Sequence, residues 1–292
     1  MKIRHYLYNA FIIEENGQKL AIDAGRNLWW TKLNSLIPRK EWADITHIFS
    51  THGDPDHFDY AVELAEKSQA SVICHHELAH HFDKKNIYNL QTLKAGETIE
   101  TGELTVQGLP TAHGPLPVKL GGGLLYMRNE VLERNHGGQA VFLGGVQVQN
   151  IDQPLDVFNH GTVKLLWGLV RLEKDNIEAF ARGVLGYKIN IGDKSIVNLG
   201  DTLYQEDWAG LEPDVLMVPI GGSIGNTMDV REALVAVKEM NPKHVIPCHY
   251  SGSFLWKRNI NPTDDQLFKA EVEKLGIQCH IMRYGDEIGD LN

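Results

Sequence analysis

Four residues in one short stretch, His52, Asp54, Asp56 and His57, carry side chains of the kinds that hold metal ions, and only Gly53 and Pro55 separate them. Glycine and proline favour a tight turn, and a tight turn can aim several donors at one point. A catalytic metal needs three or more nitrogen or oxygen ligands and an open position for water, so a pair of ions needs more than this loop. Three further candidates stand later in the chain, each the first strong ligand after an apolar run: His113, Asp201 and His249. If they converge with the loop, the chemistry is that of a two-ion centre. Two ions about 3.5–4 Å apart share a hydroxide nucleophile and polarise a carbonyl or phosphoryl oxygen. Asp56 could then orient the proton of that nucleophile. Each residue alone also has an ordinary reading: Asp56 could cap a helix, Asp201 could sit in a turn after Gly200, and His113 and His249 could be loop or strand-end histidines.

The elements that must position these residues follow from periodicity and turn chemistry. Apolar runs at 8–14 and 19–23 flank Asn16-Gly17, a strong hairpin signal. Residues 45–50 read as a buried strand that runs into the metal-binding loop. Residues 58–68 have helical spacing, 70–74 read as a strand, and a short helix follows to about 82. Leu104–Leu109 is a strand leading to His113. The second half follows the same pattern, with strands at 185–191 and 195–199 around Gly192-Asp193, then Gly200-Asp201-Thr202. A buried strand covers Val215–Pro219. Asp229 caps a helix to Met240, with Glu232 in the capping-box position. A strand at 244–247 leads to His249, Thr263 and Gln266 begin a last helix that stops at Gly276, and 277–282 closes as a strand. Two halves, each opening with a hairpin, predict two sheets packed face to face with helices outside. Between them, residues 115–182 read as an insertion or lid within a single domain spanning 1–292, with helices near 124–134 and 155–172. Its Lys119, Arg128, Arg134, Lys164 and Arg171 suit an anionic substrate, and the insertion could form a homo-oligomer interface.

The ordered set Thr51-His52-x-Asp54-x-Asp56-His57, His113, Gly200-Asp201-Thr202 and His249 resembles the metallo-β-lactamase fold superfamily, and Ile22-Asp23-Ala24-Gly25 looks like its first strand and turn. The closing run, with Pro219-Ile220-Gly221-Gly222, Thr227-Met228 and Pro247-Cys248-His249-Tyr250, is similar to the L-ascorbate-6-phosphate lactonase-like subgroup. It resembles more loosely the N-acyl phosphatidylethanolamine phospholipase D type. The resemblance implies an α+β, four-layer αββα sandwich. It implies a first metal held by His52, residue 54 and His113, a second held by Asp56, His57 and His249, and Asp201 bridging both. Asp23 and Thr51 would orient ligands by hydrogen bonding. The two divalent ions would be Zn, Mn or Fe, with Asp56 and Asp201 as the catalytic carboxylates.

One position departs from that pattern: the superfamily motif has histidine where this chain has Asp54. With a third carboxylate, two divalent ions and a bridging hydroxide, the centre is neutral rather than singly positive. Harder oxygen ligands favour Mn²⁺ or Fe²⁺, and a less positive centre acidifies its water less. The alternative is that Asp54 does not ligate and one ion binds well.

Composition sets the remaining bounds. The chain has 292 residues, 42% of them hydrophobic, and a net charge of -10, which is enough for a sizeable core and a poor match to phosphate backbones. No nucleic-acid partner is therefore expected. Three widely spaced cysteines, Cys74, Cys248 and Cys279, give neither a disulfide framework nor a zinc knot and fit a reducing cytoplasm. The apolar run at 10–13 is too short for a signal peptide, and no run suggests a membrane span. Of the 14 histidines, His136 and His160 are candidates for substrate binding or for protonating a leaving group. His76 and His80, at i,i+4, read as a solvated helix face, and Cys248 as a packed strand residue. The function expected is metal-dependent hydrolysis of a small anionic substrate, a phosphodiester or a lactone or ester. The competing reading is a non-hydrolytic metal-binding or redox member of the same fold.

Overall fold

The computed structural model describes residues 1–26, 34–114, 116–120, 123–127, 155–156, 182–222, 226–250, 263–289 and 291. Strands and helices are numbered in chain order. The first half supplies β1 (Lys2–His5), β2 (Phe11–Glu15), β3 (Gln18–Ile22), β4 (His47–Ser50), α1 (Pro55–Phe58), α2 (Ala61–Ser68), β5 (Ser71–His75), α3 (Ala79–Asp83) and β6 (Leu90–Leu93). Next come β7 (Thr98–Thr101), β8 (Leu104–Leu109), β9 (Leu116–Leu120), β10 (Gly123–Met127) and β11 (Leu155–Asp156). The second half runs β12 (Gly186–Ile191), β13 (Lys194–Asn198), β14 (Val215–Pro219), α4 (Val230–Met240), β15 (His244–Cys248), α5 (Asp265–Lys274), β16 (Gln278–Cys279) and β17 (Glu287–Ile288).

Among the described residues the strands form two seven-stranded sheets, β17-β1-β2-β3-β4-β5-β6 and β16-β15-β14-β13-β12-β8-β7, plus a three-stranded sheet β10-β9-β11. The large sheets are built alike. Antiparallel pairs β1/β2 and β2/β3 lead into the parallel run β3-β4-β5-β6. Antiparallel pairs β8/β12 and β12/β13 lead into the parallel run β13-β14-β15-β16. The turn between β2 and β3 is made by Asn16 and Gly17 at φ 47 and 73, the left-handed pair that matches strand twist in a two-residue hairpin.

Strand alternation assigns the layers. Phe11, Ile13, Leu20, Ile22, Phe49 and Ile73 of the first sheet meet Tyr187, Ile189, Ile191, Ile196, Val215, Met217 and Ile246 of the second in one buried cluster. Their neighbours face outward: Ile12, Ala21, Ile48 and Val72 pack on Phe58, Leu64 and Phe82 of α1–α3. Val197, Leu216, Val218 and Val245 pack on Ala233, Ala236, Val237, Met240, Phe268 and Val272 of α4 and α5. The result is the αββα sandwich. The Asp229 capping box forms as expected, with Asp229 accepting from the Glu232 amide and Glu232 from the Asp229 amide. The last helix is capped one residue past Thr263, by Asp264, which accepts from the Leu267 amide.

Several expectations need correction. The helix read at 58–68 is broken, because the Tyr60 amide is taken by the Ala24 carbonyl; α1 ends at Phe58 and α2 begins at Ala61. Residues 123–127 are not helical but pair with β9, a continuous apolar run being as compatible with a strand as with a helix. The closing strand shortens to Gln278–Cys279. His76 stands in a short turn before α3 and not on one helix with His80. Most of 115–182, with His136 and His160, lies outside the described residues. Among the described residues no helix is long and apolar enough to cross a membrane.

A hydrogen bond crosses the sandwich just beneath the 52–57 loop. Tyr187 of β12, fully buried, donates its hydroxyl to the Ser50 carbonyl of β4 at 2.6 Å, and its ring meets Phe49 edge-on at 5.3 Å. Tyr187→Phe keeps the ring and deletes the donor. It should lower the unfolding free energy by about 1–2 kcal/mol in urea denaturation, with an unchanged m-value.

Candidate metal centre

Every candidate ligand stands just past the carboxyl end of a strand, on one rim of the sandwich: the loop 52–57 after β4, His113 after β8, Asp201 after β13 and His249 after β15. Sites in sheet proteins gather at such rims because loops there are released from ladder hydrogen bonding. The side chains converge. Donor atoms of His52, Asp54 and His113 lie within 4.8 Å of one another, as do those of Asp56, His57 and His249, and those of His52, His57 and Asp201. Asp201 Oδ2 is 2.7 Å from His249 Nε2, 3.4 Å from His113 Nε2 and 3.6 Å from His57 Nε2. It thus touches both groups of histidines, the position a bridging carboxylate requires. Asp54 Oδ2 is 3.7 Å from His52 Nε2, and Asp56 Oδ2 is 3.6 Å from His57 Nε2 and 3.8 Å from His249 Nε2. All are buried except Asp56, which is half-buried.

The Asp54 side chain explains its own unusual placement. It occupies the N-cap of α1, with Pro55 as the first helical residue, yet makes no cap hydrogen bond. An N-cap aspartate ordinarily accepts from the next amides. Here the carboxylate turns toward His52 and His113 instead. Asp56, the residue expected to cap this helix if it had no metal role, is its second residue.

A layer of hydrogen bonds fixes which ring nitrogens face inward. Asp23, fully buried, accepts from the Thr51 amide at 2.7 Å, the Thr51 hydroxyl at 2.7 Å, Asn9 Nδ2 at 2.6 Å and His57 Nδ1 at 2.7 Å. A carboxylate only accepts, so His57 donates from Nδ1 and presents Nε2 to the centre. The Thr51 hydroxyl proton is committed to Asp23, so its oxygen accepts from His52 Nδ1 at 3.1 Å, which turns His52 Nε2 inward as well. His113 Nδ1 donates to the Gly114 carbonyl at 2.7 Å. Metal-bound histidines are characteristically held this way. Asp23 and Thr51 are the residues expected to orient ligands, and these are the contacts they make.

Sequence reasoning missed four contributors. Asn9 supplies one of the Asp23 bonds, and Asn198 bonds Asn9 and the Gly200 amide. The Tyr8 carbonyl accepts from the His249 amide. Gly25 is marked in the sequence only as part of a turn, but a side chain there is impossible: an added Cβ would stand 1.8 Å from the Asp56 carbonyl oxygen. Asp23 and His249 both adopt left-handed backbone, at φ 50 and 54, and strain of about 1–3 kcal/mol of this kind is concentrated at functional sites.

Charge coupling within the cluster is strong. Burial would raise the Asp201 carboxyl, but His249, His57 and His113 overcome it and hold the group well below the usual carboxylate range. Burial also opposes charge on the histidines, yet Asp201, Asp56 and Asp23 drive His57 well above the ordinary imidazole value. The same balance, led by Asp201, pushes His249 up to about 9. Cys248 is pushed up by burial and by the nearby Asp201 and Asp23, so its thiol packs and does not act as a nucleophile.

The donor chemistry fits divalent ions. His57 Nε2 and Asp201 Oδ1 are buried and make no hydrogen bond. Buried polar atoms left this way are costly, and a cation between imidazoles and carboxylates would satisfy them.

Two family models agree with the geometry: a metallo-β-lactamase superfamily model matches residues 5–141 and a β-lactamase superfamily domain model matches residues 130–249. The two matches together span residues 5–249, and the fold is the metallo-β-lactamase sandwich. It is 28% identical to a UPF0173 metal-dependent hydrolase of Nanoarchaeum equitans and 25% identical to one of Carboxydothermus hydrogenoformans, in each case over 99% of both chains. The fold is similar to that of Igni18, a metallo hydrolase of the archaeon Ignicoccus hospitalis. That match has a TM-score of 0.64 at 19% identity and covers 98% of this chain and 97% of that one.

Two outcomes follow for this centre. Gly25→Ala forces the Asp56 backbone away. It should cost about 1–3 kcal/mol by overpacking and lower the metal content measured by plasma emission. Metal loading should also be pH-dependent. Below about 9 the proton held by His249 competes with a cation for the ring, and the raised His57 does the same. Affinity therefore rises with pH toward that value, and binding releases protons. Calorimetry of chelator-treated protein in two buffers of different ionisation heat reads this directly; equal heats in both would contradict it.

Proposed function

We propose that this protein is a metal-dependent hydrolase acting on a small anionic substrate, with a phosphodiester or a lactone or ester as the bond cleaved. The observation that carries the reading is the convergence of four histidines and three carboxylates into adjoining donor groups, with Asp201 within 3.4 Å of His113 and 2.7 Å of His249. The names of the full-length relatives, metal-dependent hydrolases, support it. His52, Asp54 and His113 would hold one divalent ion, Asp56, His57 and His249 the other, and Asp201 both. Bound there, the ions would supply Lewis acidity and a water of lowered pKa as nucleophile.

The chain's own residues do the rest. Asp23 and Thr51 hold His52 and His57 with Nε2 inward. Asp56, half-buried and beside His57 and His249, accepts and orients the proton of the attacking water. His136 or His160 would protonate the leaving group or bind the anion, together with the basic residues of 115–182. The closing motif around His249 supports a lactonase-like or phospholipase D-like specificity. Three carboxylates among seven donors favour Mn²⁺ or Fe²⁺ over Zn²⁺. Three cysteines, all free, suit a reducing cytoplasm.

The test is hydrolysis of a phosphodiester, a phosphomonoester and a lactone panel by protein loaded with Mn²⁺, Fe²⁺ or Zn²⁺. Wild type should turn over one of the diester or lactone classes. Asp201→Ala should lose at least about 100-fold, more than loss of an orienting partner typically costs. Equal rates for wild type and Asp201→Ala would end the reading. Oxygen consumption without hydrolysis would point to the redox alternative.

A further inference from the structure

We propose that Asn9 is a positioning residue for the metal centre: through a reciprocal amide pair with Asn198, it ties the loops that carry ligands of both ions into one unit. This rests on the two-ion reading above. Asn9 and Asn198 are both fully buried. Asn9 Nδ2 donates to Asn198 Oδ1 at 2.9 Å, and Asn198 Nδ2 donates back to Asn9 Oδ1 at 2.9 Å. Neither side chain touches a candidate ligand, yet the pair reaches three strand ends. From Asn9, Nδ2 also donates to Asp23 Oδ2 at 2.6 Å, the oxygen that holds His57 and the Thr51 hydroxyl. From Asn198, Oδ1 accepts the Gly200 amide at 3.0 Å, one residue before Asp201. The Cys248 thiol donates to Asn9 Oδ1 at 3.5 Å, one residue before His249.

The backbone agrees with this role. Asn9 sits in a turn closed by the Ala10 amide on the Leu7 carbonyl and the Tyr6 amide on the Ala10 carbonyl. Leu7 and Tyr8 are both in left-handed conformation, φ 78 and 48, which side chains of that size rarely adopt. The same turn presents the Tyr8 carbonyl to the His249 amide at 3.0 Å. A turn held against its conformational preference, with the Asn9 side chain and the Tyr8 carbonyl directed at ligand-bearing loops, is a positioning device. Two facing amides suit the task, since each has a donor and an acceptor. A carboxylate in place of Asn9 would lose the donors and face Asp23 acceptor to acceptor.

The experiment uses the full chain as wild type, Asn9→Asp, Asn198→Ser and a stability control, Met240→Ala in the core between α4 and its sheet. Each is stripped with chelator and titrated with Mn²⁺ and with Zn²⁺ by calorimetry, at a temperature where circular dichroism shows it folded. Wild type should take up two ions. Asn9→Asp should bind both about 10–100-fold more weakly. Asn198→Ser, which leaves the Asn9–Asp23 bond, should lose about tenfold. Met240→Ala should bind as wild type does, although less stable. Wild-type affinity in Asn9→Asp would overturn the proposal, and so would an equal loss in Met240→Ala, which would trace the effect to stability alone. If Asn9→Asp does not fold, Asn198→Ser decides, and wild-type affinity there overturns the proposal. Wild type that binds no divalent ion would overturn the metal-centre reading itself, and this inference with it.

Discussion

The centre depends on one buried carboxylate. Asp23 is removed from water, a placement that costs several kcal/mol for a charged group left unpaired, and its oxygens instead collect donors from Asn9, Thr51 and His57. Because a carboxylate accepts and never donates, each of those partners must turn a proton toward it. That requirement sets the His57 ring, sets the Thr51 hydroxyl and, through the hydroxyl, sets the His52 ring. A single acceptor thereby orients imidazoles that belong to the two different donor groups. Its cost in backbone strain, φ 50 at Asp23, is small beside the free energy of several charge-assisted hydrogen bonds at about 1.5–3 kcal/mol each.

The sandwich supplies what Asp23 cannot, which is distance. The ligands are spread over almost two hundred positions of sequence, and only long-range sheet pairing brings them to one rim. Parallel runs β3-β4-β5 and β13-β14-β15 place the ends of β3, β4, β13 and β15 on that rim. The inter-sheet core then fixes one half against the other, with Tyr187 reaching from β12 to the strand that feeds the His52 loop. Close backbone approach at Gly25 completes the fit, since the Asp23 turn and the Asp56 turn touch main chain to main chain. Interiors packed this tightly do not deform continuously, so the ligand loops share one arrangement.

How much of this was legible in sequence follows from where the information lies. His52, Asp54, Asp56 and His57 were readable because their density in a Gly- and Pro-punctuated loop has few structural explanations. His113, Asp201 and His249 were readable because each ends an apolar run. The hairpin at Asn16-Gly17, the capped helix at Asp229 and the layer order came from local chemistry and period. Asn9 and Asn198 were not readable, because an asparagine within an apolar run has no local signature; its meaning is a partner 189 residues away. Strands β1, β6, β7 and β17 were missed for a related reason. They are short and partly exposed, and β17 exists only through pairing with β1 at the opposite end of the chain. The break between α1 and α2 was hidden because periodicity continues through it, while the amide at Tyr60 is claimed by Ala24.

Asp54 joins these levels. Local rules predict that an aspartate before a proline-initiated helix caps it, and the backbone obeys, at φ -72 and ψ 150. The side chain does not, and the first turn of α1 is left without that acceptor. A cap is worth about 1 kcal/mol, so the tertiary site overrides local preference at a known and modest cost. The departure also balances charge: three carboxylates and four neutral imidazoles would leave two divalent ions with a bridging hydroxide close to neutral. A neutral centre holds an anionic substrate less by attraction and polarises its water less than a positive one. On the proposed reading, recognition of the anion would then fall to groups outside the centre, such as the basic residues of 115–182.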